Sequence, residues 1–147
     1  MKGSVCSVCG YVVLDGVTPE NCPVCHSPKT AFKEKEEAFI RAQDPKSLTE
    51  LEKKHIPVIV VVKKCGLIPD GCMDVHAKTG EIVHPMLPEH FMMSFDFYLD
   101  KKYLSRIMFT PGSLNPAAGL HLKVKSGRIT VISHCNIHGN YIQEAAI

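Results

Sequence analysis

The hydrophobic pattern changes twice along the chain. From Val5 to Phe32, short apolar pieces alternate with turn residues such as Asp15-Gly16, which predicts a small β-module. The next segment, from about Lys33 to Lys54, is rich in Glu, Lys and Ala and lacks β-branched runs, so we expect a short helical linker. Asp44-Pro45 is the expected break and helix start within it. From Ile56 onward, β-branched and aromatic runs replace the helical composition.

The part after Ile56 has the pattern of several short strands. Its apolar runs are separated by turn residues, with no long helix between them, and cover 57–62, 91–99, 103–109, 120–125 and 128–133. Short strands at this spacing predict a β-sandwich. We therefore expect a mostly β protein: a small metal-stapled module over residues 1–33, a helical linker over 34–53 and a β-sandwich over 54–147.

Composition narrows the class of protein. The 147 residues can hold one ordinary domain and a small module that needs a metal to fold. A formal net charge of +2, with scattered basic residues, gives no reason to expect nucleic-acid binding. No apolar run is long enough to span a bilayer and no secretory signal precedes the first cysteine, so we expect a soluble, cytoplasmic protein without a membrane partner.

Four cysteines in the N-terminal module have the spacing of a metal site. They form two Cys-x-x-Cys pairs, Cys6 with Cys9 and Cys22 with Cys25. Gly10 follows the first pair and permits the positive φ that turns backbone amides toward the sulfurs. The spacing predicts a tetrahedral tetrathiolate site, which accepts either iron or zinc. Thiolate ligands also require a reducing compartment.

A second set of candidate ligands lies in the predicted sandwich. His55, His84 and His90 each have a nearby proline, and Cys135 and His138 are three residues apart. Structural zinc closes its shell at four ligands and seldom takes more than two histidines. One thiolate with four imidazoles therefore indicates a redox metal, iron, in a square pyramid whose sixth position is open to a small substrate.

Three short motifs surround these ligands. They are Lys54-His55-Ile56-Pro57, then His84-Pro85-Met86 with His90 after it, then Cys135-Asn136-Ile137-His138-Gly139. Through them, residues 52–141 resemble the catalytic domain of superoxide reductases, the desulfoferrodoxin and neelaredoxin family. The resemblance implies an immunoglobulin-like sandwich, usually a homodimer or homotetramer, that holds ferrous iron by four equatorial histidines and an axial cysteine. It also implies the reduction of superoxide to hydrogen peroxide.

The N-terminal module resembles the rubredoxin-like domain of rubrerythrins, through Cys9-Gly10-Tyr11 and Cys22-Pro23-Val24-Cys25. The usual two-iron superoxide reductase has a desulforedoxin-like first domain with an adjacent cysteine pair instead. The resemblance implies an electron relay that is supplied by rubredoxin or its reductase. We therefore favour iron over zinc at the tetrathiolate site, because a relay needs a one-electron metal.

Two lysines precede the first histidine ligand. Lys54 matches the lysine that the family has beside this ligand, which implies that it attracts the superoxide anion and holds a proton-donating water. The family commonly has Glu two residues before the histidine, as a carboxylate cap on oxidised iron. This chain has Lys53 at that position and Glu52 one residue earlier, and both remain candidates for replacing the cap.

The remaining cysteines and histidines have less specific surroundings. Cys65 and Cys72 are interpreted as ordinary thiols, with a redox-switched disulfide as the alternative. A single histidine on a strand is more often packed or exposed than bound to a metal, which applies to His26, His76, His121 and His134.

A histidine-rich site with a nearby cysteine is also typical of two other functions. A cupredoxin-like electron carrier needs an axial Met after its Cys-His pair, and none follows His138. A non-enzymatic iron-binding redox sensor or electron-transfer protein of the same fold remains the alternative to an enzyme.

Overall fold

The computed structural model describes every residue from Met1 to Ile147. Its regular structure is mostly β, with a single short α-helix, α1 (Glu50–His55), and one 3-10 turn at Lys29–Ala31. The strands are β1 (Gly3–Cys6), β2 (Phe32–Lys35), β3 (Pro57–Val62), β4 (Met73–Thr79), β5 (Met86–Leu87), β6 (His90–Leu99), β7 (Lys102–Met108), β8 (Ala117–Leu122), β9 (Arg128–Cys135) and β10 (Gly139–Ala146). Neither length nor hydropathy qualifies any helix as a membrane span.

The strands form three antiparallel sheets. The N-terminal module contains the two-stranded ladder of β1 and β2. A five-stranded sheet has the order β10-β9-β6-β5, with β7 also pairing with β6. A three-stranded sheet has the order β3-β4-β8. The two larger sheets form the sandwich that the strand pattern predicts.

The sandwich core lies between the two larger sheets. Val75 of β4 belongs to the same buried cluster as Phe95 of β6 and Val131 of β9, and all three are 0% exposed. Strand β4 alternates buried and more exposed positions, as expected of a strand with one face on a core. Removal of this apolar surface from water is the main contribution to stability.

A second core joins the N-terminal module to the outside of the five-stranded sheet. Val12 from the module is buried with Tyr98 of β6 and Ile132 of β9. The Tyr98 hydroxyl donates a hydrogen bond of 2.9 Å to the carbonyl of Val12. Tyr11 stacks on Tyr98 with ring centroids 5.9 Å apart. The module therefore packs directly on the sandwich.

The helical linker expected over 34–53 is wrong for most of its length. Its first residues belong to β2, residues 36–49 form turns and irregular structure, and α1 begins at Glu50. Ile40 forms an isolated bridge with Tyr141, which ties the segment to β10. Tertiary pairing has overridden the helical propensity of a Glu- and Lys-rich segment.

The helix start expected at Asp44-Pro45 is also wrong. A capping box at Thr49, rather than Pro45, begins α1. The Thr49 hydroxyl accepts from the Glu52 amide at 3.2 Å, and the Glu52 carboxylate accepts from the Thr49 amide at 2.8 Å. This reciprocal pair satisfies amides that would otherwise lack partners at the helix start.

Candidate metal centres

The four N-terminal cysteines converge on one point. Cys6 Sγ lies 3.6 Å from Cys25 Sγ, and Cys9 Sγ lies 3.5 Å from Cys22 Sγ. Sulfurs at ~2.3 Å from a central metal form a tetrahedron with edges of about 3.8 Å. The cluster therefore fits the iron or zinc tetrathiolate that the spacing predicts.

Two similar turns position these cysteines. The amide of Gly10 donates to the carbonyl of Cys6, and the amide of His26 donates to the carbonyl of Cys22, both at 2.9 Å. Gly10 and His26 both have positive φ, of 78° and 65°. The Ser27 hydroxyl lies 3.2 Å from Cys25 Sγ, and its hydrogen bond is the main reason why the pKa of this thiol falls to about 6. That shift favours the thiolate form, which binds metals.

The second centre is built from the ends of several elements. His55 is the last residue of α1, His84 lies between β4 and β5, and His90 begins β6. Cys135 ends β9, and His138 lies in the turn before β10. The antiparallel pairing of β6 with β9 brings the start of one strand beside the end of the other, so the ligands gather at one end of the sandwich.

The four imidazole rings form a closed square. Neighbouring ring centroids are separated by 4.6 Å for His55 and His84, 4.7 Å for His84 and His90, 5.0 Å for His90 and His138, and 4.8 Å for His138 and His55. The rings of His55 and His90 are 6.2 Å apart across the square. His84 consequently lies opposite His138.

Hydrogen bonds orient the ring nitrogens. His55 Nδ1 donates to the carbonyl of Leu51, and His84 Nδ1 donates to the carbonyl of Pro85, both at 2.7 Å. Because a carbonyl only accepts hydrogen bonds, Nδ1 of each ring carries the proton and Nε2 keeps a free lone pair. The two Nε2 atoms are 3.1 Å apart. His90 Nε2 is buried without any hydrogen-bond partner. An orphaned nitrogen beside two free lone pairs fits a bound metal ion.

The thiolate candidate lies against the square. Cys135 is 3% exposed, and its Sγ is 3.8 Å from His138 Nδ1. The backbone amide of His138 donates to this sulfur at 3.4 Å. The Asn136 side chain joins this turn to the start of β6, since it accepts from the Phe91 amide at 2.9 Å and donates to the Glu89 carbonyl at 3.1 Å. These bonds hold Cys135 and His138 in register with His90.

Further contacts hold α1 against the sandwich. The Ser133 hydroxyl donates to the carbonyl of His55 at 2.7 Å. The Tyr141 ring packs 4.8 Å from the His55 ring. Gly80 approaches the helix so closely that a Cβ at this position would clash with the carbonyl oxygen of Lys53. The position of His55 therefore depends on residues from β9, from β10 and from the turn that follows β4.

Burial keeps the imidazoles in the form that binds metals. Desolvation lowers the pKa of His84 to about 4, and it also lowers the pKa of His55 and His90. The positive charge of Lys54 contributes a smaller lowering at His55 and His90. Neutral histidines coordinate metals without first losing a proton. The influence on two rings also places the exposed Lys54 within electrostatic range of the site.

Neither candidate for the carboxylate cap faces the histidines. The Glu52 oxygens accept from the amides of Thr49 and Gln43, at 2.8 and 3.0 Å, and the residue is 5% exposed. Lys53 Nζ pairs with Glu50 at 3.3 Å on the surface. The Glu52 carboxylate is therefore used by the capping box. Lys53 is a cation and cannot replace the carboxylate cap.

Two of the histidines given no ligand role have specific partners. His134 Nε2 lies 3.0 Å from Asp96 Oδ2, on the face of the five-stranded sheet that the N-terminal module covers. His121 lies beside Cys65 and Cys72, far from the square. The sequence interpretation missed this grouping, for which the Cys-rich β3–β4 loop was the only local signal.

Comparison with known protein families follows the same division of the chain. The desulfoferrodoxin family matches residues 47–144, and the rubredoxin-like domain of rubrerythrin matches residues 5–33. A putative superoxide reductase from Methanocaldococcus jannaschii is 32% identical over 104 residues, which cover 67% of this chain and 86% of that protein.

Solved structures share the fold. The reduced superoxide reductase (neelaredoxin) from Archaeoglobus fulgidus is 29% identical with a TM-score of 0.58, and the match covers 74% of this chain and 97% of that one. The superoxide reductase (neelaredoxin) from Ignicoccus hospitalis is 30% identical with a TM-score of 0.52, over 63% of this chain and 79% of that one. With two thirds of its length matched by the family, this chain belongs to the desulfoferrodoxins and has a rubredoxin-like domain at its N-terminus.

Proposed function

We propose that the protein is a superoxide reductase, an oxidoreductase that converts superoxide to hydrogen peroxide. The observation that carries this proposal is the square of four imidazoles with a buried thiol against it. We assign the iron ligands as His55, His84, His90, Cys135 and His138. Iron held by these residues would supply the one electron that superoxide requires.

Lys54 is the proposed catalytic side chain. Superoxide is an anion that needs two protons as well as an electron to become hydrogen peroxide. The exposed ammonium of Lys54 acts on the rings of His55 and His90, so it can draw the anion to the same end of the sandwich. It can also hold a water molecule that delivers a proton.

The buried position of Cys135 suits a ligand that donates electron density to the metal. Its sulfur is excluded from solvent, and the His138 amide donates a hydrogen bond to it. Hydrogen bonds of this kind adjust the basicity of a metal-bound thiolate. With iron bound, the Cys135 side chain would therefore tune how readily the site gives up an electron.

Steady-state consumption of superoxide, with reduced rubredoxin as the electron donor, tests the proposal. We expect the wild-type protein to turn over and the Cys135→Ser variant to lose activity by about 100-fold or more. His76→Gln is the control, since it changes an exposed histidine outside both metal centres and should retain activity. Iron-loaded wild-type protein that consumes no superoxide would favour the redox-sensor alternative, and normal turnover in Cys135→Ser would contradict the role of Cys135.

The tetrathiolate of Cys6, Cys9, Cys22 and Cys25 is proposed as the electron relay, with rubredoxin or its reductase as the donor. A continuous path of bonds supports this role. The carbonyl of Cys9 accepts a hydrogen bond from Arg106, whose guanidinium pairs with Asp96. Asp96 in turn bonds His134, the residue covalently linked to Cys135.

Metal exchange in the full-length protein tests the relay. With zinc in the tetrathiolate site and iron in the histidine site, a single turnover with superoxide should proceed as in the all-iron protein. Re-reduction by rubredoxin should be slower, because zinc carries no electron. Recycling at the full rate would instead show that the N-terminal metal is structural.

Three finer expectations belong to the same proposal. The functional division is 1–33 for the relay, 34–53 for the connection and 54–147 for the reductase. We expect a homodimer or homotetramer, supported by the exposed apolar side chains of Val60 and Val62 on β3 and testable by light scattering. A cytoplasmic location agrees with thiolate ligands that require reducing conditions.

A further inference from the structure

A third cluster of metal-ligating side chains lies outside the two centres described above. His121 Nδ1 is 3.3 Å from Cys65 Sγ, 3.5 Å from Cys72 Sγ and 2.8 Å from Asp74 Oδ1. Cys72 Sγ is 3.7 Å from Asp74 Oδ1. All four potential ligand atoms lie within 4.8 Å of one another. We propose that Cys65, Cys72, Asp74 and His121 form a structural zinc site.

The sheet register fixes half of this site. Asp74 and His121 are directly opposite each other in the antiparallel pair of β4 and β8. Side chains at opposed positions project from the same face of a sheet and can share a ligand. The connection between β3 and β4, residues 63–72, then brings both cysteines to this pair. The cluster therefore follows from the fold rather than from one flexible side chain.

The surroundings of Cys65 are those of a metal-bound thiolate. The backbone amides of Leu67 and Ile68 both donate to its Sγ at 3.3 Å. These hydrogen bonds, that of Ile68 first, lower the pKa of the Cys65 thiol. The sulfur of Cys135 receives a similar amide bond from His138 at 3.4 Å. Two amide donors directed at one sulfur are a second indication of a ligand, independent of the clustering.

The charges of the cluster also call for a cation. Cys65, Cys72 and Asp74 become three anions when both thiols ionise, and their ligand atoms lie within 4.8 Å of one another. A divalent cation would remove the repulsion between them. Two thiolates and one carboxylate would leave one excess negative charge around Zn²⁺. The cavity beside Cys65 and Cys72 is also lined by three lysines, Lys63, Lys64 and Lys125. Their positive charges can balance the excess negative charge.

The donor set favours zinc as the metal. Two sulfurs, one imidazole nitrogen and one carboxylate oxygen complete a tetrahedral shell, which leaves no open position for a substrate. The site lies beyond the end of β3 that is distant from His55, and six strand residues separate the two ends by ~20 Å. Zinc would consequently hold the β3–β4 loop in place without taking part in the chemistry at the histidine square.

Metal analysis of full-length variants tests the site. Wild-type protein, Cys65→Ser/Cys72→Ser and His121→Gln are equilibrated with zinc under reducing conditions, and bound zinc and iron are then counted. We expect both variants to hold one zinc fewer per chain than the wild type, with unchanged iron. His76→Gln is the matched control, because His76 is an exposed histidine on β4 of the same sheet.

A second readout separates zinc binding from simple proximity of the thiols. Zinc should protect Cys65 and Cys72 from alkylation, as read by mass spectrometry, and a chelator should abolish that protection. Unchanged iron content in each variant shows that the sandwich is folded. Equal zinc in the wild type and both variants would overturn the proposal, as would a Cys65–Cys72 disulfide that persists in reduced, zinc-loaded protein.

Discussion

The tetrathiolate and the histidine square are built in opposite ways. Two short turns supply all four N-terminal sulfurs, with Cys6 and Cys9 in one and Cys22 and Cys25 in the other. The four histidines of the square and the neighbouring Cys135 instead come from α1, the β4–β5 connection, β6, β9 and the β9–β10 turn. Local backbone geometry determines the first site, whereas the second requires the whole sandwich to be packed.

This difference in construction determines which structural changes should disturb each site. A change in sandwich packing should disturb the square and leave the tetrathiolate intact, because the turns around the cysteines are fixed locally. The shared core around Val12 and Tyr98 limits that independence, since the module is packed on the outside of the same sandwich. Changes at the contact and changes within the sandwich should therefore have different signatures.

The largest effect is expected at Arg106, which bonds both regions. Arg106→Met leaves the Asp96 carboxylate buried, at 0% side-chain exposure, without its cation. Loss of one partner of a buried pair should lower the free energy of unfolding by about 4 kcal/mol. Urea unfolding measures this loss. In protein loaded with iron at both sites, the visible absorption of each site reports its own region during the transition.

Arg41→Met is the control for Arg106→Met. Arg41 pairs with Glu144 at 3.4 Å, but their side chains are 43% and 23% exposed, so this change should cost below about 1 kcal/mol. If the two regions depend on each other, both absorption signals should disappear in one transition in the Arg106 variant. Two separate transitions would show that the module and the sandwich unfold independently.

The same contrast explains what the sequence could predict. The Cys-x-x-Cys pairs and the motifs around His55, His84 and His90 are local, so candidate ligands for both centres could be named from the sequence alone. The strand β3 also has the expected bounds, 57–62, because its β-branched run is continuous. Patterns within a few residues of each other were therefore sufficient for these parts.

Long-range pairing decided the rest. The prediction of a helical linker over 34–53 was wrong because Ile40 pairs with Tyr141 and the helix begins only at the capping box of Thr49. Asp74 and His121 become neighbours only through the register of β4 and β8. No local pattern contains that register, so the third cluster could not be recognised from spacing.

A smaller effect is expected where β4 ends beside α1. Gly80→Ala places a Cβ against the carbonyl of Lys53, so the helix that carries His55 must move. Overpacking of this kind should lower the free energy of unfolding by about 2 kcal/mol. Iron content and the absorption of the histidine site should fall, while those of the tetrathiolate remain unchanged. Equal loss at both sites would contradict their separate construction.

Gly66→Ala is the matched control for Gly80→Ala. Gly66 has open space around the position of an added Cβ, and its φ is not in the left-handed region. We therefore expect normal occupancy of the histidine site in this variant. A loss of catalytic iron in Gly66→Ala would show that the site responds to any change in a connecting loop.

The smallest effect is expected at the start of α1. Thr49→Ala removes the hydroxyl that accepts from the Glu52 amide, and loss of such a cap should cost about 1 kcal/mol. A frayed helix start should weaken iron binding at the square without changing the tetrathiolate. Glu50→Gln serves as the control, because it breaks only the exposed pair with Lys53. A smaller loss in Thr49→Ala than in the control would contradict the role of the capping box.

Glu52→Gln then separates the two possible roles of the glutamate. Glutamine has a single acceptor oxygen, which can accept from the Thr49 amide but leaves the Gln43 amide without a partner. Stability should therefore fall by about 1 kcal/mol, while the iron content stays close to that of the wild type. If the carboxylate acts only as a cap for α1, azide should bind the ferric site equally well in both proteins. Tighter azide binding in Glu52→Gln would mean that the carboxylate reaches the metal and must be displaced, contrary to its hydrogen bonds with Thr49 and Gln43.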